Sequence, residues 1–164
     1  MNLVTAKLDI LQTPHGKDPI EISAIFPAPP ARVFKAWTDP KELKRWFGPK
    51  PESLISVDLD VKVGGKWCVV FDQSPEKTMQ LEGEYLQVDA NKTLIYTWCH
   101  ATLFADGRHE RTPYSQVKVK FSAVDSGTKI ELRHESIESK DALLNVHAGW
   151  KACYTNLFDL FASE

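Results

Sequence analysis

The 164-residue chain has little cysteine and no long apolar run. Its three cysteines, Cys68, Cys99 and Cys153, are odd in number, far apart and without a C-x-x-C pair, which argues against a disulfide framework or a structural zinc site. No stretch approaches the ~18 to 20 consecutive apolar residues of a membrane span, and Lys7 and Asp9 interrupt what a secretory leader would need. Neither sign of charge dominates: 20 basic and 22 acidic residues leave a net charge of −2, too little to draw nucleic acid or anionic lipid strongly. Walker, G-x-G-x-x-G, H-E-x-x-H, G-x-S-x-G and EF-hand patterns are all missing. The expectation is a cytoplasmic protein with reduced thiols, no nucleic-acid partner, no membrane span, no cofactor and no metal, whose partners are chosen by shape and apolar contact.

A chain of this length buries roughly 70% of its unfolded surface without staples. No linker or repeat divides it, so one domain over 1–164 is expected, with an N-terminal arm over 1–19 and a core over 20–161. In the arm, Val4, Ala6, Leu8 and Ile10 alternate with Thr5, Lys7 and Asp9, predicting an edge strand that His15-Gly16 turns onto a second strand, Ile20 to Phe26.

The stretch FPAPPARVFKAWTDPKELKRWFGP, Phe26 to Pro49, holds five of the ten prolines and two of the five tryptophans. It reads as two helices of about two turns each. Pro30 suits the first position of one, with Val33 and Trp37 on a common face. Asp39 caps the next, Pro40 opens it, and Glu42 sits where a capping box would place it; Leu43, Trp46 and Phe47 form its apolar face before Gly48-Pro49 stops it. Helices this short persist only by packing on something larger, and Phe47 is expected to act as a partly buried lid.

Six runs of period two follow: Leu54 to Asp60, Lys66 to Asp72, Met79 to Val88, Thr93 to Ala101, Ser115 to Val124 and Thr128 to Glu135. One buried face and one wet face mark an antiparallel sheet, and Gly64-Gly65 allows it to curl. Between two runs, Phe104 to Pro113 reads as a solvated hairpin loop, with Arg108, His109, Glu110 and Arg111 around Gly107; an overhang meeting an anionic ligand head is the alternative. Asn91-Lys92-Thr93 reads as a turn. The chain closes on a helix over Lys140 to Ala162, whose stripe Leu143, Val146, His147, Trp150, Cys153, Tyr154, Leu157 and Phe161 must lie on the sheet, with Asn145, Lys151, Asn156 and Asp159 opposite.

By strand parity Trp67, Val69, Phe71, Tyr85, Trp98, His100, Val117, Val119, Phe121 and His134 point to the helix side. Trp37 and Phe47 join them from the short helices, and Val146, Trp150 and Tyr154 from the long one. Periodicity alone assigns such residues to a packed core more readily than to a pocket. His100, His134 and His147 are the polar members; an inward histidine can orient a ligand or move a proton, but a buried histidine satisfied by its neighbours is the plainer reading.

The segments VFKAWTDPKELKRWFGP, DVKVGGKW, GEYLQVDANKTLIYTW, VKVKFSAVDSGTKIELRHE and HAGWKACYTNL, in this order, resemble the C-terminal domain of the activator of the Hsp-type chaperone ATPase, within the START-like, or SRPBCC, superfamily. The likeness covers Ile20 to Phe161; the arm before it is extra, and Ala90-Asn91 stands where members more often have a proline. It implies an α+β helix-grip fold: a curled antiparallel sheet with two short helices and a long C-terminal helix over an apolar cavity, lined by the fifteen residues just named. It also implies a shell for a small hydrophobic or amphipathic ligand with no catalytic residue assigned. The alternatives are a hydrolase- or cyclase-type enzyme using His134, Tyr85 or Tyr154, and a chaperone-associated protein. The small hydrophobic ligand is the expected partner; a homodimer is left open, and no residue supports a chaperone contact.

Overall fold

Residues 7–164 are described in a computed structural model. The elements run β1 (Leu11–Gln12), β2 (Ile20–Phe26), α1 (Pro30–Thr38), α2 (Pro40–Leu43), a 3-10 turn (Pro51–Ser53), β3 (Ser56–Leu59), β4 (Lys66–Gln73), β5 (Lys77–Asp89), β6 (Thr93–Phe104), β7 (His109–Arg111), β8 (Ser115–Val124), β9 (Gly127–Glu135) and α3 (Lys140–Ala162). All pairings are antiparallel, in the order β1-β2-β9-β8-β6-β5-β4-β3, with β7 against the far end of β6. This is the helix-grip arrangement: a sheet curled around one long helix.

The strand and helix boundaries follow the residue pattern where it is strong. β2, β8 and α3 begin and end where the alternation or stripe does. Ser139 caps α3, its hydroxyl accepting the Ala142 N–H at 3.1 Å. Asn91, at φ 63°, takes the left-handed turn conformation that asparagine tolerates. Three expectations need correction. The arm forms only the two-residue β1, with Lys7 to Ile10 outside any strand and Val4, Thr5 and Ala6 outside the described residues. The loop over 104–113 contains the strand β7, which pairs with Ala101 to Leu103. The second short helix has one regular turn, because Asp39 caps it through the Lys41 N–H at 2.9 Å but Glu42 leaves the capping box for Arg32, 2.9 Å away.

α3 does two different jobs along its length. Its C-terminal half packs solidly: Phe26 on β2 meets Tyr154, Phe158 and Phe161 with ring centroids 5.3, 6.2 and 6.3 Å apart. The Tyr154 hydroxyl donates to the Ile22 carbonyl at 2.9 Å, a buried polar group finding its partner in the sheet backbone. The N-terminal half stands off from the sheet and roofs a cavity.

The segment after α2 is tied to α3 at Gly48. The Gly48 N–H points to Cys153 Sγ at 3.1 Å, and Asn156 Nδ2 donates to the Gly48 and Trp46 carbonyls at 2.9 and 3.3 Å. Trp46, fully buried, donates its indole N–H to the Ala36 carbonyl at 2.9 Å, closing α2 onto α1. Asn156 therefore does not belong to the solvated face that the stripe pattern assigns it to. Asn156→Ala is expected to cost about 1 to 2 kcal/mol, since it strands two partly buried carbonyls; urea denaturation measures this, and a loss within 0.5 kcal/mol, the scatter of ordinary surface changes, would mean that water replaces the amide.

Candidate functional site

Under the N-terminal half of α3 lies a cavity of about 610 Å³, inside the ~300 to 1,000 Å³ range of small-molecule sites. It sits where β6 changes partner. Through Trp98, β6 pairs with β8; from Ala101 it pairs with β7, and the chain between, Thr112 to Tyr114, opens the sheet. The roof is Ala142, Val146, Gly149, Trp150 and Cys153, and one side is the loop from Phe47 through Leu54. The sheet supplies Phe71, Leu81, Trp98, His100, Ser115 and His134. Exposed Pro49, Lys50, Glu138 and Asn145 form the rim.

Of the residues expected to face a cavity, Phe47, Phe71, Trp98, His100, His134, Val146 and Trp150 are on this wall. Trp37, Trp67, Val69 and Tyr85 are not. They surround a separate void of about 20 Å³, which is filled core for practical purposes because a ligand cannot enter it. Val117, Val119, Phe121 and Tyr154 are buried in the solid layer between β8 and the helices. The reason is positional: parity says which face a side chain takes but not how far along the strand the helix has closed onto the sheet. Phe47 and Trp98 touch both compartments, with ring centroids 6.1 Å apart, and Trp150 closes the group at 6.2 Å from Phe47 and 5.4 Å from Trp98. Phe47 is only 7% exposed, so it is a buried partition and not a half-exposed lid.

His134 is fully buried at the cavity's inner end. The Trp150 indole N–H points at its Nδ1 from 3.0 Å, and its Nε2 stands 2.7 Å from Ser115 Oγ. An indole can only donate, so Nδ1 must carry the lone pair and Nε2 the proton. Nε2–H then donates to Ser115 Oγ, which is the wrong direction for a base that would activate that hydroxyl. Burial pushes the imidazole down to about 3, so the ring is neutral at physiological pH. Both ring nitrogens are held, and no carboxylate takes part. The Tyr85 and Tyr154 hydroxyls, raised above the ordinary tyrosine range by burial, lie away from this cavity.

His147 is fully buried, as an inward residue should be, but it packs against the arm and is not on the cavity wall. It stacks on His15 of the arm, centroids 4.0 Å apart and planes 3° from parallel, and its Nε2 lies 2.8 Å from Gln12 Oε1. Cys153 is at the roof, but burial pushes its thiol up to about 12, partly offset by the Gly48 N–H, so it is an inert wall group and not a nucleophile.

Several wall residues were not anticipated. Ser115 shares the parity of Val117, Val119 and Phe121 and is the polar member of an otherwise apolar inward row, which is a readable signal. Gly149 lies three after Val146 and four before Cys153 on the same stripe, in a helix interior where glycine is unfavourable. A Cβ built there meets nothing within 4 Å outside the helix's own backbone. Gly48, Pro49, Lys50 and Ser53 carry no periodicity that could place them on a wall.

The fold recurs in other proteins. A protein of Rhodobacter sphaeroides has a TM-score of 0.73 at 19% identity, over 95% of this chain and 100% of that one. One of Chromobacterium violaceum gives 0.70 at 22%, over 90% and 100%, and one of Nitrosomonas europaea 0.70 at 23%, over 89% and 95%. At such identities the likeness is one of fold. No curated protein matches the chain. The family model described as Activator of Hsp90 ATPase homolog 1-like protein matches residues 27–162, from the approach to α1 through the last turn of α3, and so takes in every residue of the cavity wall. The chain belongs to that family.

Proposed function

We propose that the protein binds a small, predominantly apolar molecule in this cavity and holds it without transforming it. The observation that carries this reading is the volume of about 610 Å³ walled by Phe47, Phe71, Leu81, Trp98, Val146 and Trp150 in a protein whose other half is tightly packed. An apolar guest in a space of this size would gain dispersion contacts all along the lining. The neutral, doubly held His134 supports binding over hydrolysis, because neither ring nitrogen is free to take a proton from water or substrate.

Native mass spectrometry of the purified protein is expected to show a co-purifying small molecule, and an environment-sensitive apolar dye is expected to bind stoichiometrically in the micromolar range, about −8 kcal/mol. Gly149 supplies the control. Gly149→Ala should stabilise the fold by up to about 1 kcal/mol through helix propensity alone. Gly149→Phe should thrust a ring into the open space and weaken dye binding at least about tenfold. A dye with no saturable site on the wild-type protein, or one indifferent to Gly149→Phe, would remove this reading.

A further inference from the structure

The polar side chains buried at the cavity's inner end form a relay with one direction. Trp150 N–H donates to His134 Nδ1 at 3.0 Å, His134 Nε2–H donates to Ser115 Oγ at 2.7 Å, and the Ser115 hydroxyl keeps its own proton. Among the described residues, the acceptor recorded for that proton is the Trp98 carbonyl at 3.4 Å, beyond the ~2.5 to 3.0 Å of an O–H···O bond. Ser115 is 6% exposed and lies on the cavity wall, so a partner for this proton would come from within the cavity. Each donation along such a chain polarises the next, making the final hydroxyl a better donor than an isolated serine.

We propose that Ser115 is a ligand-positioning hydrogen-bond donor, and that the cavity's guest is an apolar, ring-sized molecule carrying a neutral acceptor, a ketone or ester carbonyl, on its buried end. This rests on the cavity being a binding site. The chemistry follows from the relay's members. The terminal donor can meet a carbonyl lone pair, but the Ser115 oxygen already receives the His134 proton, which disfavours a guest whose buried end only donates. Among the described lining residues the one lysine, Lys50, is on the rim together with Glu138, so none stands at the inner end to neutralise a carboxylate there. A charged group on the guest would therefore face outward. The aromatic surfaces of Phe47, Trp98 and Trp150 suit a flat hydrocarbon body behind the carbonyl.

The test compares acetylnaphthalene with ethylnaphthalene, which have nearly the same shape and differ by the carbonyl, binding to wild-type protein and to Ser115→Ala by calorimetry. The ketone-to-hydrocarbon affinity ratio is expected to fall about tenfold in Ser115→Ala, the worth of one good neutral hydrogen bond, while ethylnaphthalene binding stays within about twofold. An isotope-labelled carbonyl carbon on wild-type protein gives a second reading that needs no variant: its NMR resonance should move downfield from its position in hexane, towards that in an alcohol. An unchanged affinity ratio, or a carbonyl resonance like that in hexane, overturns the donor while leaving the cavity reading intact. If neither naphthalene binds, the binding reading falls and the ligand chemistry falls with it.

Discussion

Trp150→Ala is expected to lower stability at pH 7 by about 3 to 5 kcal/mol, the range of a fully buried aromatic truncation, in a domain whose whole margin is about 5 to 15 kcal/mol. Trp150 is 2% exposed and is the side chain on which both halves of the structure meet. Its ring is nearly parallel to Trp37, 17° apart at 5.9 Å, which secures α1, and it contacts Phe47 edge-on and Trp98 at an angle, which secures the partition. Truncation removes these contacts and also leaves His134 Nδ1 without its donor. Trp150→Phe removes less, because it keeps one ring in place while losing the N–H and part of the indole's volume. It should cost about 1 to 3 kcal/mol for the unsatisfied buried acceptor, with a packing loss added to it. Urea denaturation of both variants measures the pair. If Trp150→Ala lost less than about 1 kcal/mol, Trp150 would be a loosely held wall residue and the account of the partition would be wrong.

How far the sequence carries the reader depends on which physical signal a residue emits. Alternation in Val117, Val119, Phe121 and in Ile130, Leu132, His134 shows which side chains are buried, and the structure buries all six. The α3 stripe likewise places Trp150 and Tyr154 inside. Burial, however, is not lining. Tyr154 and Trp150 are four residues apart on one face of one helix, yet the first seals the core through the Ile22 carbonyl and the second walls the cavity. What separates them is where α3 lifts from the sheet, and that is fixed by contacts between distant elements, such as Gly48 with Cys153 and Asn156. The arm shows the same limit. Its hydrophobic alternation suggested a long edge strand, whereas, among the described residues, 11 and 12 form the ladder with β2, and His15 stacks on α3, a contact with no sequence periodicity at all. Ser115 and Gly149 are the opposite case: a polar residue on an inward row and a glycine inside a helix stripe each break a local rule, and each lies on the cavity wall.

The second large effect is a loss of stability in acid that can be traced to one ring. His134 ionises in the unfolded chain near 6.5 but only at about 3 when folded, because burial disfavours the charged form. Between these values the unfolded state binds the extra proton, so stability rises with pH across this window. The contribution is complete above about pH 6.5 and is lost as the pH falls, by about 1.4 kcal/mol per unit, reaching about 5 kcal/mol at the folded value. Charging the ring would also force a proton onto Nδ1, where the Trp150 N–H already points, so two donors would face each other. His134→Gln tests this directly. The amide can accept from Trp150 and donate to Ser115, yet it does not titrate. At pH 7 it should be modestly less stable than wild type, by about 1 to 3 kcal/mol for imperfect replacement of two buried hydrogen bonds. Near pH 4.5 the wild-type protein should have lost about 3 kcal/mol that the variant keeps, so the order of stability should converge or reverse. His147, lowered first by burial and then by His15 and Lys151, and Glu164, lowered by its bond to Arg32, titrate in both proteins and cancel in the comparison. Urea denaturation across this range gives the two stability curves. Parallel curves would show that His134 either keeps an ordinary affinity for protons in the folded state or reaches solvent on acidification, and the one-way relay from Trp150 to Ser115 would then lose its footing.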